Sequence, residues 1–216
     1  VNWYIKNSAL ILIALLPLVG HGQSDLFQLW PDTALAKANS AREVMYMSDE
    51  EKQVVFYINV CRMNPPLFED TYLTDYLKSN KVKKDKDVKS LIEELKNTSP
   101  RVLLQPSEIL TETARHHALD MGESGRTGHN ASDGTSFTER VKDVSKEFSV
   151  INENANYGND KALDIVVDLL IDKNAPNAGH RKNILDIESR YIGVAIEPHK
   201  RYRFNCVQDF GGAKQD

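Results

Sequence analysis

The stretch that most constrains the fold is "YIGVAIEPHKRYRFNCVQDF", residues 191–210. Its two arms, "YIGVAIEP" and "YRFNCVQDF", are rich in β-branched and aromatic residues, and "HKR" between them is placed for a hairpin turn. Almost everything before this hairpin reads as helix. Helices first and strands last, without alternation of strand and helix, predict an α+β fold and not a parallel sheet.

The helical part has clear punctuation. Ser48 and Glu51 have capping-box spacing ahead of Val54, Val55, Ile58 and Cys61, an apolar stripe at helical spacing, and Pro65-Pro66 end that helix. "VKSLIEELKN" predicts a short amphipathic helix. The run from Pro106-Ser107 to Gly122 or Gly125 predicts a longer one, with Leu110, Ala114, His117 or Ala118, and Met121 on its buried stripe. Ser136 and Glu139 repeat the box before "FTERVKDV", and "KALDIVVDLLIDKN", apolar on most sides, predicts a buried helix. Residues 23–47 carry no strong periodicity and read as a loose lead-in to one domain spanning 48–216.

Residues 1–22 have one cation at Lys6, an apolar run from Ala9 to Val19, and small residues at Gly20 and Gly22. They predict a secretory signal peptide cleaved after Gly22, hence a secreted or periplasmic protein. No later segment approaches the roughly 20 apolar residues of a membrane span. With 27 Lys and Arg against 31 Asp and Glu, the formal net charge of −4 gives no basic excess for nucleic acid. The lysine-rich run "KSNKVKKDKDVKS" reads as solvated surface. Export permits disulfides, so the two cysteines, Cys61 and Cys206, are expected to pair.

Four groups could carry chemistry: His129 in "RTGHNASDG", Glu153 in "NENAN", Asp172, and His180 in "NAPNAGHRKNIL". Two imidazoles with carboxylates suit a borderline cation such as zinc. Motifs with built-in spacing are missing: the chain has no HExxH, no CxxC pair and no Gly-Lys-Ser phosphate loop. The competing reading makes the Gly-His pairs surface turns and Glu153 a carboxylate bonded to its own backbone. Gly179 is expected to turn the chain and present His180 from a tight bend. No G-x-S-x-G elbow frames Ser132, Thr135 or Ser136 beside His129, which argues against a serine hydrolase. His116 and His117 cannot share a helix face, so one faces the core or cleft and the other water. Arg181 is expected to tie loop carboxylates such as Asp186 or Glu188.

Taken in order, "ARHHALDM", "GHNASDGTSFTERV", "ENANYG", "GHRKNIL", "YIGVAI" and "CVQDF" resemble the CAP superfamily of cysteine-rich secretory proteins, antigen 5 and pathogenesis-related proteins, in its bacterial, SCP-like branch. The resemblance covers about residues 50 to 212. It implies a three-layer α-β-α sandwich with a mostly antiparallel central sheet, whose first strands come from the family and not from any alternation in this sequence. It also implies an open cleft where His129, Glu153 and His180 match residues able to hold a divalent ion. Asp172 falls where relatives usually carry a glutamate three residues after a tryptophan; Leu169 takes the tryptophan's place, the aspartate is shorter by one methylene, and "DKNAPNAGH" is longer than the usual link. His117 and Arg181 become cleft supports. The resemblance thus implies a secreted, non-catalytic module holding zinc and a small lipid-like or cell-surface ligand. The alternatives are a metal-dependent hydrolase or peptidase with Glu153 as base, and a structural domain with an inherited cleft.

Overall fold

A computed structural model describes residues 29–175 and 177–214, and the expected signal peptide lies outside them. In chain order the helices and strands are α1 (Asp32–Ala38), α2 (Asp49–Met63), α3 (Pro65–Phe68), α4 (Thr74–Ser79), α5 (Lys86–Asn97), β1 (Gln105–Pro106), α6 (Glu108–Ser124), α7 (Phe137–Arg140), β2 (Ile151–Tyr157), α8 (Ala162–Ile171), α9 (Gly179–Leu185), β3 (Tyr191–His199) and β4 (Arg203–Gly211). A π-helical turn at Glu69–Leu73 joins α3 to α4. The strands form one sheet in the order β1-β3-β4-β2, antiparallel except for the two-residue β1–β3 pairing.

Strand alternation sends successive side chains to opposite faces. On one face Ala195 and Val207 meet Ala114 and Ala118 of α6. On the other, Ile192, Val194, Cys206 and Phe210 join Val54, Val55 and Ile58 of α2 and Ile165, Val166 and Leu169 of α8 in the main core. The result is the expected three-layer α-β-α sandwich. The α6 helix lies unusually close to β3, because a Cβ on Gly193 would overlap the backbone at Leu110 and Thr111, and one on Gly122 would overlap the Pro198 carbonyl.

The capping box of α2 is formed in both directions. Its Glu51 is buried and also accepts from the Ile196 amide at 2.9 Å and from Arg115, so the start of α2 is tied to both β3 and α6. The prolines act twice: α2 ends at Met63, the Asn64 side chain accepts from the Leu67 amide, and Pro65 and Pro66 occupy the first turn of α3.

Several expectations are corrected. The lead-in is packed from Trp30 onward: the Trp30 indole donates to Thr71 Oγ1 at 3.1 Å, and Ala38, Ala41 and Met47 are buried in the same core. The helix beginning at Ser136 lasts one turn, since Ser136 accepts from the Glu139 amide and α7 ends at Arg140. Gly179 is not the bend before His180. Left-handed backbone falls at Asp172 (φ 52°), Asn174 (φ 62°) and Ala178 (φ 44°), and Gly179 opens α9.

The disulfide expectation is also overturned, because Cys61 and Cys206 are both buried free thiols. Cys61 sits on the apolar stripe of α2. Cys206 lies inside β4 between Asn156 of β2 and Ile196 of β3. Each packs as a small apolar side chain in the main core. Burial pushes the Cys61 thiol up to about 12 and raises that of Cys206 as well, so both stay protonated and inert. Export and an even count make pairing chemically possible, but core packing decides where the side chains go.

Candidate functional site

The site is built on β2, the edge strand of the sheet. Its sequence "INENANY" puts Glu153, Ala155 and Tyr157 on the α6 face, while Asn154 and Asn156 reach the α8 and α9 side. Register sets Glu153 directly opposite Asp209 of β4, with both side chains on the α6 face. Both acids are buried. Neither oxygen of Asp209 meets a hydrogen-bond donor among the described residues. Burial, and then the charge on Glu153, hold the Asp209 carboxyl well above the usual carboxylate range, which favours its neutral form. Burial also pushes Glu153 up, but the hydrogen bond from His129 and the neighbouring positive charge outweigh it and hold this carboxyl below its ordinary value.

Three basic side chains surround Glu153. His129 Nδ1 donates to Oε1 at 2.8 Å, from a ring that is 46% exposed. Arg140 Nη2 donates to Oε1 at 2.8 Å and to Oε2 at 2.7 Å. Its Nε and Nη2 also reach the His129 carbonyl at 3.0 and 2.8 Å, which ties the 129–140 loop back on itself. His117 is fully buried on α6, donates from Nε2 to the Gly128 carbonyl at 2.9 Å, and lies 3.8 Å from Glu153 Oε1. Burial lowers the affinity of His117 for a second proton even with Glu153 beside it. Its neighbour His116 is exposed, so the two histidines divide as their spacing predicts.

The second pair of candidate residues lies across the strand. His180, in the first turn of α9, donates from Nδ1 to Asp172 Oδ1 at 2.8 Å, and its backbone amide donates to Asp172 Oδ2 at 2.9 Å. Asp172 therefore caps α9 and orients the imidazole. The His180 carbonyl accepts from Asn154, and Asn183 donates to the Glu153 carbonyl and to Asn154 Oδ1. This network joins α9 to β2 through the backbone and the asparagines. It leaves His129–Glu153 and His180–Asp172 as two hydrogen-bonded pairs on opposite sides of β2. Arg181 is buried and holds Leu170 O at 2.6 Å, Ile171 O at 3.1 Å and Glu94 Oε2 at 2.8 Å, in place of the expected loop carboxylates. It braces the end of α8 from which Asp172 follows.

The donors do not fit a divalent ion as arranged. A zinc site needs three or four of them on one centre. Among the described residues no three His, Cys, Asp or Glu side chains converge in that way, and Arg140 already takes both oxygens of Glu153. Asp209 and Arg140 are the site residues that the sequence does not single out as such. Arg140 lies inside the quoted segment "GHNASDGTSFTERV", so its place in that run is a signal for it. Asp209 likewise lies inside the quoted segment "CVQDF", but nothing in that run marks it as the residue that faces Glu153.

Above this cluster runs a groove of about 450 Å³ between α6 and the 131–144 segment. Ile109, Ala131 and Val144 supply apolar walls, and His117, Asp120 and Arg140 supply polar ones. Asp120 is engaged at the rim, where it accepts from the Ser132 amide and hydroxyl.

The model of the cysteine-rich secretory protein family, CAP, matches residues 76–210. This chain belongs to the CAP family. Two solved structures resemble the CAP chain. An outer surface protein from Borrelia burgdorferi is 21% identical, with a TM-score of 0.44 over 62% of this chain and 97% of that one. An extracellular protein containing a SCP domain from Bacillus anthracis str. Ames is 19% identical, with a TM-score of 0.41 over 57% of this chain and 37% of that one. No curated protein matches. No helix among the described residues of the CAP chain is long and apolar enough to cross a membrane.

Proposed function

We propose that this CAP protein is an exported, non-catalytic binding module whose α6 groove takes a small amphipathic, lipid-like ligand. The observation that carries the reading is the groove's composition. Its volume of about 450 Å³ suits a small molecule, Ile109, Ala131 and Val144 give it apolar wall, and polar side chains including His117, Asp120 and Arg140 line the rest. Export is supported by the leader-like residues 1–22. A hydrolytic role is disfavoured because a general base needs a free lone pair facing substrate, whereas Arg140 and His129 take both oxygens of Glu153.

The test uses a dansyl-labelled fatty acid, followed by fluorescence. Saturable enhancement is expected with the wild-type protein. Thr113→Trp, which places a large ring in the groove, should abolish it while leaving the melting temperature nearly unchanged. Enhancement that is unsaturable, or equal in the variant, would overturn the assignment.

A further inference from the structure

A CAP-like cleft is expected to hold a divalent ion, yet here the space beside its central carboxylate is filled by the chain itself. Arg140 closes a ring of contacts. Its guanidinium spans both oxygens of Glu153, at 2.8 and 2.7 Å, and also reaches the carbonyl of His129, whose imidazole donates to the same carboxylate. The side chain is 11% exposed, and its guanidinium carbon lies 5.4 Å from the centre of the Phe137 ring. We propose that Arg140 is the resident cation of this cleft, occupying the place beside Glu153 that zinc would need, so that the site does not load a divalent ion. The inference goes beyond ligand binding and stands whether or not the groove takes a lipid.

Three physical points support it. A guanidinium stays protonated throughout the accessible pH range, so no change of pH vacates the place, as could happen with a lysine. A metal bound to Glu153 would sit within a few ångströms of that fixed positive charge, in surroundings too dry to screen the repulsion. The metal would also have to displace Arg140 from a buried carboxylate, and the second imidazole needed to compensate, His180, is held by Asp172 on the other side of β2. The position of the arginine follows from the chain: Ser136 caps the single turn of α7, and Arg140 is its last residue, eleven residues after His129 and thirteen before Glu153.

The experiment pairs zinc calorimetry with thermal melts of the full chain. Wild type is expected to show no saturable zinc binding, and its melting temperature should not move with zinc or EDTA. Arg140→Met should lower that temperature by about 10 °C, the size expected when a buried pair loses one partner. Arg140→Lys should lose less. Arg140→Met/Glu153→Gln, which removes both charges, should recover at least half of the loss. Stoichiometric zinc binding by wild type that disappears in His129→Ala would overturn the proposal, and so would an Arg140→Met variant as stable as wild type. If Arg140→Met does not fold, the wild-type titration decides alone: stoichiometric zinc binding lost in His129→Ala overturns the proposal, and its absence upholds it.

Discussion

Glu153 and Asp209 face each other across the β2–β4 ladder, two buried carboxyls of which only Glu153 is held by the Arg140 guanidinium. The positive charge of Arg140 rests on one of the two acids, and their environments differ accordingly. Arg140 and His129 reach Glu153, and no donor among the described residues reaches Asp209. The two carboxyls are thereby driven in opposite directions from similar ordinary values.

Opposite shifts give opposite pH dependences. For Asp209, held above its unfolded value of about 3.9, the contribution to stability is complete below that pH and is lost as pH rises through the folded value. For Glu153, held below its unfolded value of about 4.3, the contribution is present above that pH and is lost as pH falls through the folded value. Urea melts from pH 3 to pH 9 should therefore show Asp209→Asn with a flatter alkaline limb than wild type, and Glu153→Gln with a flatter acid limb. The same slope in wild type and Asp209→Asn would mean that Asp209 titrates normally.

Much of the fold is legible in the sequence because its helices carry local signals. The Ser48/Glu51 box, the stripe from Leu110 to Met121 and the β-branched hairpin arms all declare themselves within a few residues. The strand β2 does not. "INENANY" is polar on both faces, since Asn154 and Asn156 bond the α8 and α9 side while Glu153 forms an ion pair on the other, so apolar alternation cannot reveal it. The lead-in is missed for a related reason: Trp30, Ala38, Ala41 and Met47 are isolated anchors without a period. At the site, His129, Glu153, Asp172 and His180 are legible one by one. Their division into two pairs is not, because strand parity, which the sequence hides at β2, decides it. The glycine at 179 misleads because the strain falls on Ala178 instead.

The thiols give a direct check on the core. Both are buried and protonated, so native protein should not react with a thiol reagent over minutes, and denatured, unreduced protein should titrate two thiols. Mass spectrometry of the unreduced chain should show both alkylated. A single disulfide-linked peptide joining residues 61 and 206 would contradict the packing.

Close approach of α6 to β3 makes Gly193 a sensitive position. An added methyl at Gly193 would meet the backbone of Leu110 and Thr111, which cannot rotate away as a side chain could. Gly193→Ala should cost about 3 kcal/mol, at the upper end of overpacking effects, and lower the melting temperature by about 9 °C. Gly179→Ala is the contrasting control. Nothing lies near its Cβ position and its backbone is helical, so the melting temperature should stay within about 2 °C of wild type.

Additivity of substitutions distinguishes one site from two among His129, Glu153, Asp172 and His180. Asp172 holds the His180 ring and amide while adopting a left-handed backbone. Asp172→Ala loses the cap and puts alanine at that strained angle, for a combined cost of about 3 kcal/mol. Asp172→Asn keeps an acceptor for the amide and a residue that tolerates the angle, so its cost should be about 1 kcal/mol. Glu153→Gln perturbs the other pair, and β2 stands between them. Combining Asp172→Ala with Glu153→Gln should give costs that add to within about 0.5 kcal/mol, as independent sites do. A coupling well above that would mean that the two pairs function as a single polar centre across the strand, which is what a shared metal would require.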